Sequence, residues 1–355
     1  MNSKAKRSWE DNFVIRAVKG YFKNHYGPII GLVAIGILIQ SFSPNFFSIT
    51  NFVNILRQIS VSGIIALAIT MIQLTGGIDL SIGAIVGATG CLACVLFSQL
   101  HLPIWLSVLI TIIVGGIIGF VNGFMVAHTP LPHFVITLAT QMTIRGLAYL
   151  FTRGLPVIVN DDAFTNIGNG SIKFSGAGGS GFELPYSVIL MFVLFFIFWV
   201  VLSRTRFGRH VYATGGNMEA SIHSGINVKT VQKLVYVFGG MLAAIAGIIL
   251  AARMYSGQPT VGQGYEGEAI AASVLGGVRF GGGYGTIGCT ILGSFIMGVI
   301  NNGLNMVRLD YYYQYIVKGM VILGAVYFDS VKGSIRFSPI KFIKNLFHKQ
   351  SDTEA

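Results

Sequence analysis

Charged side chains are scarce in this 355-residue sequence. Asp, Glu, Lys and Arg make up 10% of the residues, whereas soluble domains carry about 25%. Between Arg57 and Arg145 the only charged residue of these four types is Asp79. Hydrophobic residues account for 53% of the chain, and the mean hydropathy is +0.70. This composition excludes an ordinary soluble domain and indicates a bundle of membrane-spanning helices.

The sequence also has few cysteines and no Gly-Lys dipeptide, which argues against metal, redox and ATP-binding sites. The three cysteines, Cys91, Cys94 and Cys289, all lie in apolar segments, and the C-x-x-C pair has no second ligand pair, so we expect packing rather than a metal or redox role. Gly-Lys occurs nowhere, which excludes a Walker A phosphate loop. No convergent catalytic cluster is evident, so we expect no enzymatic site, no metal and no cofactor in this chain.

Positive charge is concentrated beside apolar segments. Six of the 24 Lys and Arg residues lie between residues 4 and 23, five between 204 and 233, and five between 332 and 349. The positive-inside rule places these stretches in the cytoplasm. We therefore predict basic cytoplasmic tails at 1–27 and 330–355, and membrane lipid rather than nucleic acid as a partner.

Ten apolar segments approach the roughly 17–25 residues that a spanning helix needs. Two are short, so eight to ten helices are possible, and basic flanks at both ends favour an even number. We predict an all-α polytopic membrane protein of about ten transmembrane helices over residues 28–329, with a long extracytoplasmic loop at 154–184. The segments lie near 28–43, 59–75, 79–99, 103–127, 133–153, 185–203, 234–254, 267–279, 285–306 and 312–329.

A carboxylate follows a glycine pair inside one apolar run. In "LTGGIDLSIGAIVG", Gly76 and Gly77 interrupt the run, and Asp79 and Ser81 follow. An ionised group at membrane depth is costly, which makes it a candidate for a direct part in translocation. The alternative is structural, because a helix that begins after the glycines would have Asp79 near its positive end. The two interpretations are compatible.

Three asparagines are also polar groups at predicted membrane depth. Asn122 belongs to "GGIIGFVNG", in which residues 115, 119 and 123 form a small-residue stripe for close helix packing. Asn301 and Asn302 end another glycine-rich segment. Hydrogen bonds between helices are the favoured interpretation, and contact with a transported solute is the alternative.

The segment between residues 204 and 233 predicts a short polar helix at the cytoplasmic surface. Gly215 and Gly216 can turn the chain, Asn217 is a good N-cap, Glu219 would lie in the first turn, and Gly225 is a natural stop. Such a helix, about two turns long, suits docking of a cytoplasmic partner. The alternative is an ordinary connecting loop.

A second glycine-rich stretch, "GGVRFGGGYGTIG" at 276–288, contains G-x-G-x-x-G. Spanning helices are predicted on both sides, so the βαβ context of a dinucleotide site is missing. We predict a tight cytoplasmic turn there.

Five ordered stretches carry a resemblance to a known family. They are "SPNFFSITNFVNILRQ" (43–58), "TGGIDLSIGA" (75–84), "GGNMEASIHSGINV" (215–228), "GYEGEAIAASVLGG" (264–277) and "INNGLNMV…YYQYIVKG" (300–319). Together the segments resemble the permeases of bacterial ATP-binding cassette (ABC) importers for ribose, xylose and galactose, which are related to branched-chain amino-acid permeases. The likeness runs from about residue 43 to residue 329.

The resemblance implies a type II ABC importer-like bundle in the bacterial inner membrane, with both termini cytoplasmic. Such permeases act in pairs, so a second copy of the chain is an expected partner. They receive sugar from an extracytoplasmic binding protein and are driven by cytoplasmic subunits that hold ATP and magnesium. The family's coupling loop corresponds to residues 204–233, and Ser221-Ile222-His223 departs mildly from its pattern. The implied docking residues are Gly216, Asn217, Glu219, Ala220 and Gly225.

The resemblance further implies that a monosaccharide, a ribose-like pentose or a hexose, is the substrate. Its path, or the helix break beside it, would include Gly76, Gly77, Asp79, Ser81, Asn122, Asn301 and Asn302. A permease for branched-chain amino acids or nucleosides remains an alternative. An ion-coupled secondary transporter is the alternative from another class, and it would need several ionisable groups at depth.

Overall fold

The computed structural model of the protein describes residues 28–174 and 182–334, with residues 328–334 described by their backbone alone. The predicted tail at 1–27 lies outside these ranges, and so does the tail at 330–355 apart from the end of the last helix. The helices are α1 Pro28–Phe42, α2 Ile49–Gln73, α3 Ile82–Cys94, α4 Ile104–His128, α5 His133–Thr152, α6 Asp162–Asn169, α7 Tyr186–Arg204, α8 Arg206–Gly216, α9 Met218–His223, α10 Val228–Arg253, α11 Tyr265–Gly276, α12 Ile287–Met306 and α13 Tyr311–Ser334. The strands are β1 Val157–Ile158, β2 Ser171–Phe174, β3 Phe182–Pro185 and β4 Ser256–Gly257.

Within the described ranges, seven helices are long and apolar enough to cross a membrane: α2, α3 with its π-helical end Val95–Gln99, α4, α5, α7, α10 and α12. A helix lies at each of the ten predicted segments, but the count of ten spans is not confirmed. Helix α11 has 12 residues, about 18 Å at 1.5 Å per residue. That length falls short of a hydrocarbon core of about 30 Å.

Helices α2 and α10 form the centre of the bundle, and most of their side chains are buried. Helix α10 packs closely on α4 along the predicted small-residue stripe. A Cβ atom added to Gly115 would lie 2.5 Å from the Gly240 carbonyl oxygen, and one added to Gly119 would overlap the carbonyl oxygen of Tyr236. Small residues therefore allow two spanning helices to approach each other closely.

The predicted loop at 154–184 contains regular structure that the sequence reading missed. Helix α6 begins after Asp161, whose carboxylate accepts hydrogen bonds from the N–H groups of Ala163 (2.8 Å) and Phe164 (3.2 Å). Strands β2 and β3 pair antiparallel, and β1 pairs with β4, which follows α10. This end of the bundle thus carries a layer of short elements.

Candidate coupling element and translocation path

The predicted docking helix is present as α9, and its first turn has the predicted cap. The Asn217 side chain accepts a hydrogen bond from the Ala220 N–H at 2.9 Å. Glu219 lies in the same turn, where a carboxylate interacts favourably with the positive end of a helix. The helix has six residues, slightly less than the two turns expected.

The end of α9 depends on a glycine in the left-handed conformation. Gly225 has φ +79°, and its N–H donates to the Ile222 carbonyl at 3.0 Å. The next N–H, that of Ile226, donates to the Ser221 carbonyl at 3.0 Å. These two bonds satisfy carbonyl groups that the helix leaves free, which is the usual role of a glycine at this position.

The five implied docking residues are all exposed, so their backbone and side chains are free to meet a partner. Met218 and Ile222, four residues apart, are also exposed, at 40% and 56%. Residues four apart share a helix face. Sequence reasoning missed this pair, although its i, i+4 spacing was readable. Helix α9 therefore presents an apolar face as well as polar caps.

Helix α8, which the sequence reading did not predict, connects α9 to the membrane bundle. Thr205 caps it by accepting from the Gly208 N–H at 3.2 Å. The Tyr212 hydroxyl donates to the Gly285 carbonyl at 2.8 Å, so α8 rests on the turn between α11 and α12. That turn is the predicted tight one, with several glycines at positive φ.

The same turn also reaches the glycine break after α2. The Gly283 N–H donates to the Leu74 carbonyl at 3.0 Å. A Cβ atom on Gly215, near the end of α8, would lie 2.6 Å from the Gly283 nitrogen. The end of α2, the end of α8 and the turn between α11 and α12 are therefore in contact, although they are remote in sequence. We call these three segments, 73–77, 212–216 and 277–286, the glycine junction.

Asp79 lies just beyond the glycine junction and is buried, with 1% of its surface exposed. Gly76 has φ +81°, and Gly77 donates back to the Ile72 carbonyl at 3.1 Å, which ends α2. The Asp79 Oδ1 atom accepts from the N–H (2.7 Å) and the hydroxyl (2.6 Å) of Ser81. Because Ser81 is the residue immediately before α3, the carboxylate fixes the start of that helix.

Ser81 also joins Asp79 to two further helices. Asn122 of α4 donates to the Ser81 hydroxyl at 2.9 Å, and Thr140 of α5 donates to the Asn122 side-chain oxygen at 2.6 Å. The other carboxylate oxygen, Oδ2, is buried with no hydrogen-bond partner among the described residues. Asn122 therefore has the favoured interhelical role, in a network that connects α3, α4 and α5.

The side chains of the adjacent residues Asn301 and Asn302 have different surroundings. Asn302 faces α2 and exchanges two hydrogen bonds of 3.0 Å with Asn51, in a buried amide pair. Asn301 instead donates to Glu268 at 3.2 Å and lies beside a polar cavity of about 220 Å³. Of the two, only Asn301 is placed to contact a solute.

Two residues of opposite charge lie at this cavity. Lys318 forms an ion pair with Glu268 at 2.7 Å, with side chains 21% and 18% exposed. Arg145, which does not line the cavity, donates to the carbonyls of Pro259 and Val261, both at 2.6 Å. Both cations are therefore engaged inside the protein.

Seven helices in the described ranges that are long and apolar enough to cross a membrane, packed around a mainly apolar core with a few buried polar networks, define the class of protein: a polytopic membrane protein. The family described as "branched-chain amino acid transport system / permease component" matches residues 51–326. The chain belongs to this family of ABC importer permeases. No solved structure matches it significantly.

Curated relatives cover most of the chain. The ribose import permease protein RbsC of Haemophilus influenzae is 37% identical over 319 residues, which are 89% of this chain and 96% of the relative. RbsC of Escherichia coli is 41% identical over 304 residues, 86% of this chain and 93% of the relative. The L-arabinose transport system permease protein AraH of Escherichia coli is 34% identical over 313 residues, 88% and 92% of the two chains.

Proposed function

We propose that this chain is the membrane-spanning subunit of an ABC importer that carries a monosaccharide, with ribose as the first candidate. The relatives named for ribose import are 37% and 41% identical, against 34% for the arabinose relative, over nearly the whole chain. That similarity is the observation that carries the proposal. A galactose/methyl galactoside import permease is 36% identical, so the relatives favour a monosaccharide, pentose or hexose, and make branched-chain amino acids and nucleosides the weaker candidates.

We infer that the energy comes from a cytoplasmic partner that binds ATP and magnesium and docks on α9. An apolar pair, Met218 and Ile222, beside an exposed acidic residue, Glu219, suits a protein surface rather than lipid. A sugar-binding protein would deliver the substrate on the opposite side. In this proposal a second copy of the chain completes the importer in the bacterial inner membrane, with both termini in the cytoplasm.

The glycine junction supplies a route from the docking helix to the bundle. A shift of α9 on its partner would move α8, and α8 is hydrogen-bonded to the turn that also holds Leu74. Leu74 directly precedes the break that positions Asp79 and the start of α3. Movement of the ATP-binding partner would thereby displace the start of α3, and α4 and α5 would follow it, since the Ser81–Asn122–Thr140 bonds connect these helices.

An ion-coupled transporter is the rival from another class. Near the cavity Glu268 is paired with Lys318 and Arg253 donates to the Arg57 backbone carbonyl, so these charged groups are engaged rather than arranged as a relay. Asp79 stands apart from that pair, and its network consists of hydroxyls and an amide. These pairings favour a transporter that takes its energy from a partner.

Two measurements test the proposal together. Purification in mild detergent is expected to bring an ATP-binding subunit along with the chain. Reconstituted with that subunit and the binding protein, the chain is expected to accumulate labelled ribose only when ATP is present. Accumulation of solute against its gradient by the purified chain alone would contradict the proposal.

A further inference from the structure

A polar cavity lies where α2, α10, α11, α12 and α13 meet. Its volume is about 220 Å³, below the roughly 300–1,000 Å³ of pockets that hold drug-sized ligands, and this suits a small solute. The polar side chains that line it are Gln58, Ser62, Arg253, Tyr265, Glu268, Asn301, Asn305, Gln314 and Lys318, and its apolar lining comprises Val61, Ile65, Leu250, Ala269 and Gly298.

We propose that this cavity is a binding site for a neutral monosaccharide within each permease chain, and that Asn301 and the Glu268–Lys318 pair contact the sugar hydroxyls. The inference rests on the proposed function and adds to it the place and chemistry of substrate contact. Amide, hydroxyl and phenol groups exchange hydrogen bonds with a polyol, and the aliphatic side chains suit the C–H faces of a sugar ring.

One atom of the lining is left free for a ligand. The Asn301 amide nitrogen donates to Glu268 Oε2 at 3.2 Å, whereas the Asn301 side-chain oxygen is buried and accepts no hydrogen bond within the described ranges. A buried polar atom without a partner costs about 1–3 kcal/mol. A sugar hydroxyl would donate to this oxygen and remove that cost.

The charges at the cavity favour a neutral solute over an amino acid. Both oxygens of Glu268 are occupied, Oε1 by Lys318 at 2.7 Å and Oε2 by Asn301. Arg253 donates to the Arg57 carbonyl at 2.9 Å. The ammonium group of an amino acid would need a free carboxylate, and this lining offers none, whereas hydroxyl groups can add to charged groups that are already paired.

The cavity also lies in the half of the bundle that faces the binding protein in our proposed topology. Arg253 ends α10, Tyr265 begins α11, and Gln314 is in the first turn of α13. Ser62, which also lines the cavity, lies about 20 Å from the first residue of α2 at 1.5 Å per residue. Helix α11, with 12 residues, is too short to span the bilayer, and short half-helices of this kind form solute sites in other transporters.

The test uses the complete importer in proteoliposomes and a thiol reagent that does not cross membranes, a charged methanethiosulfonate added on the binding-protein side. Ser62→Cys places a thiol in the cavity. Ser294→Cys is the matched control, because Ser294 is buried in α12 away from the cavity. The native cysteines in the described ranges are buried. Labelling is read by mass, and transport by uptake of labelled ribose.

We expect Ser62→Cys to be modified and its ribose uptake to fall about tenfold, because the added group fills the cavity. Ser294→Cys should stay unmodified and transport normally. As a second variant, Asn301→Leu should lower uptake about tenfold, the effect of losing roughly one hydrogen bond of about 1.4 kcal/mol. The ATP-binding subunit should still co-purify with Asn301→Leu, because the docking helix α9 is remote from this residue, and this separates a lost contact from a lost fold.

Three results would overturn the inference: no labelling of Ser62→Cys, full uptake after labelling, or wild-type uptake by Asn301→Leu. Failure of the unmodified importer to accumulate ribose with ATP would instead contradict the proposed function. The two failures are distinguishable because labelling is measured without any transport.

Discussion

The left-handed glycine that ends the docking helix offers a direct test of coupling. A Cβ atom on Gly225 would meet nothing within 4 Å, yet the residue has φ +79°. Alanine at this position is therefore opposed by backbone conformation alone, at a cost of about 1–2 kcal/mol. Helix α9 has only six residues, too few to be stable without its caps.

We expect Gly225→Ala to weaken docking of the ATP-binding subunit about 5–30-fold, the range that 1–2 kcal/mol represents. Gly225→Asn should recover part of the loss, since asparagine tolerates the left-handed region better than alanine. The assay titrates the ATP-binding subunit against proteoliposomes and reads ribose uptake, so weaker docking shifts the concentration needed for half-maximal uptake.

Gly146→Ala is the matched control. Gly146 lies on the exposed face of α5, outside the glycine junction; a Cβ atom added there also meets nothing within 4 Å, and its φ is not positive. This variant should behave as wild type. Equal titration curves for Gly225→Ala and Gly146→Ala would refute the reasoning that the end of α9 positions the partner.

Three further predictions concern the thermal stability of the detergent-solubilised permease. Asp79→Ala should lower the free energy of unfolding by about 3 kcal/mol, because it removes the two hydrogen bonds that Asp79 Oδ1 accepts from Ser81 and leaves their buried donors unpaired. Asn302→Leu should cost about 1–3 kcal/mol by leaving the buried Asn51 side-chain oxygen without its donor, and adding Asn51→Leu should cost less than a second such loss. Gly119→Ala should cost about 1–3 kcal/mol, because the new methyl group overlaps the Tyr236 carbonyl of α10.

Each stability prediction has an outcome that contradicts it. A melting temperature for Asp79→Ala equal to that of wild type would remove the assigned role at the start of α3. Strictly additive losses in the double asparagine variant would show that the two amides act independently. For the α4–α10 contact the control is Gly146→Ala in α5, where a Cβ atom meets nothing within 4 Å. Equal effects at positions 119 and 146 would exclude close packing as the cause.

Local features of the chain were predictable because their causes are local. Apolar length located a helix at all ten predicted segments, since burial in lipid requires a continuous apolar run. Asn217 and Gly225 were readable as the cap and stop of α9, because the hydrogen bonds involved join residues three to five positions apart. The number of membrane-spanning helices could not be predicted in the same way, because α11 is apolar but too short to span the membrane.

Sequence by itself therefore determined a membrane bundle, the short helix α9 with its caps, and a family likeness that the comparisons confirm. Tertiary structure alone decided which remote groups meet. It placed Asn301 at a cavity and the adjacent Asn302 in a buried amide pair. It also paired Lys318 with Glu268 and hydrogen-bonded Gly283 to Leu74. The physical reason is that a cap depends on its own turn of backbone, whereas these pairings depend on how helices far apart in sequence pack against one another.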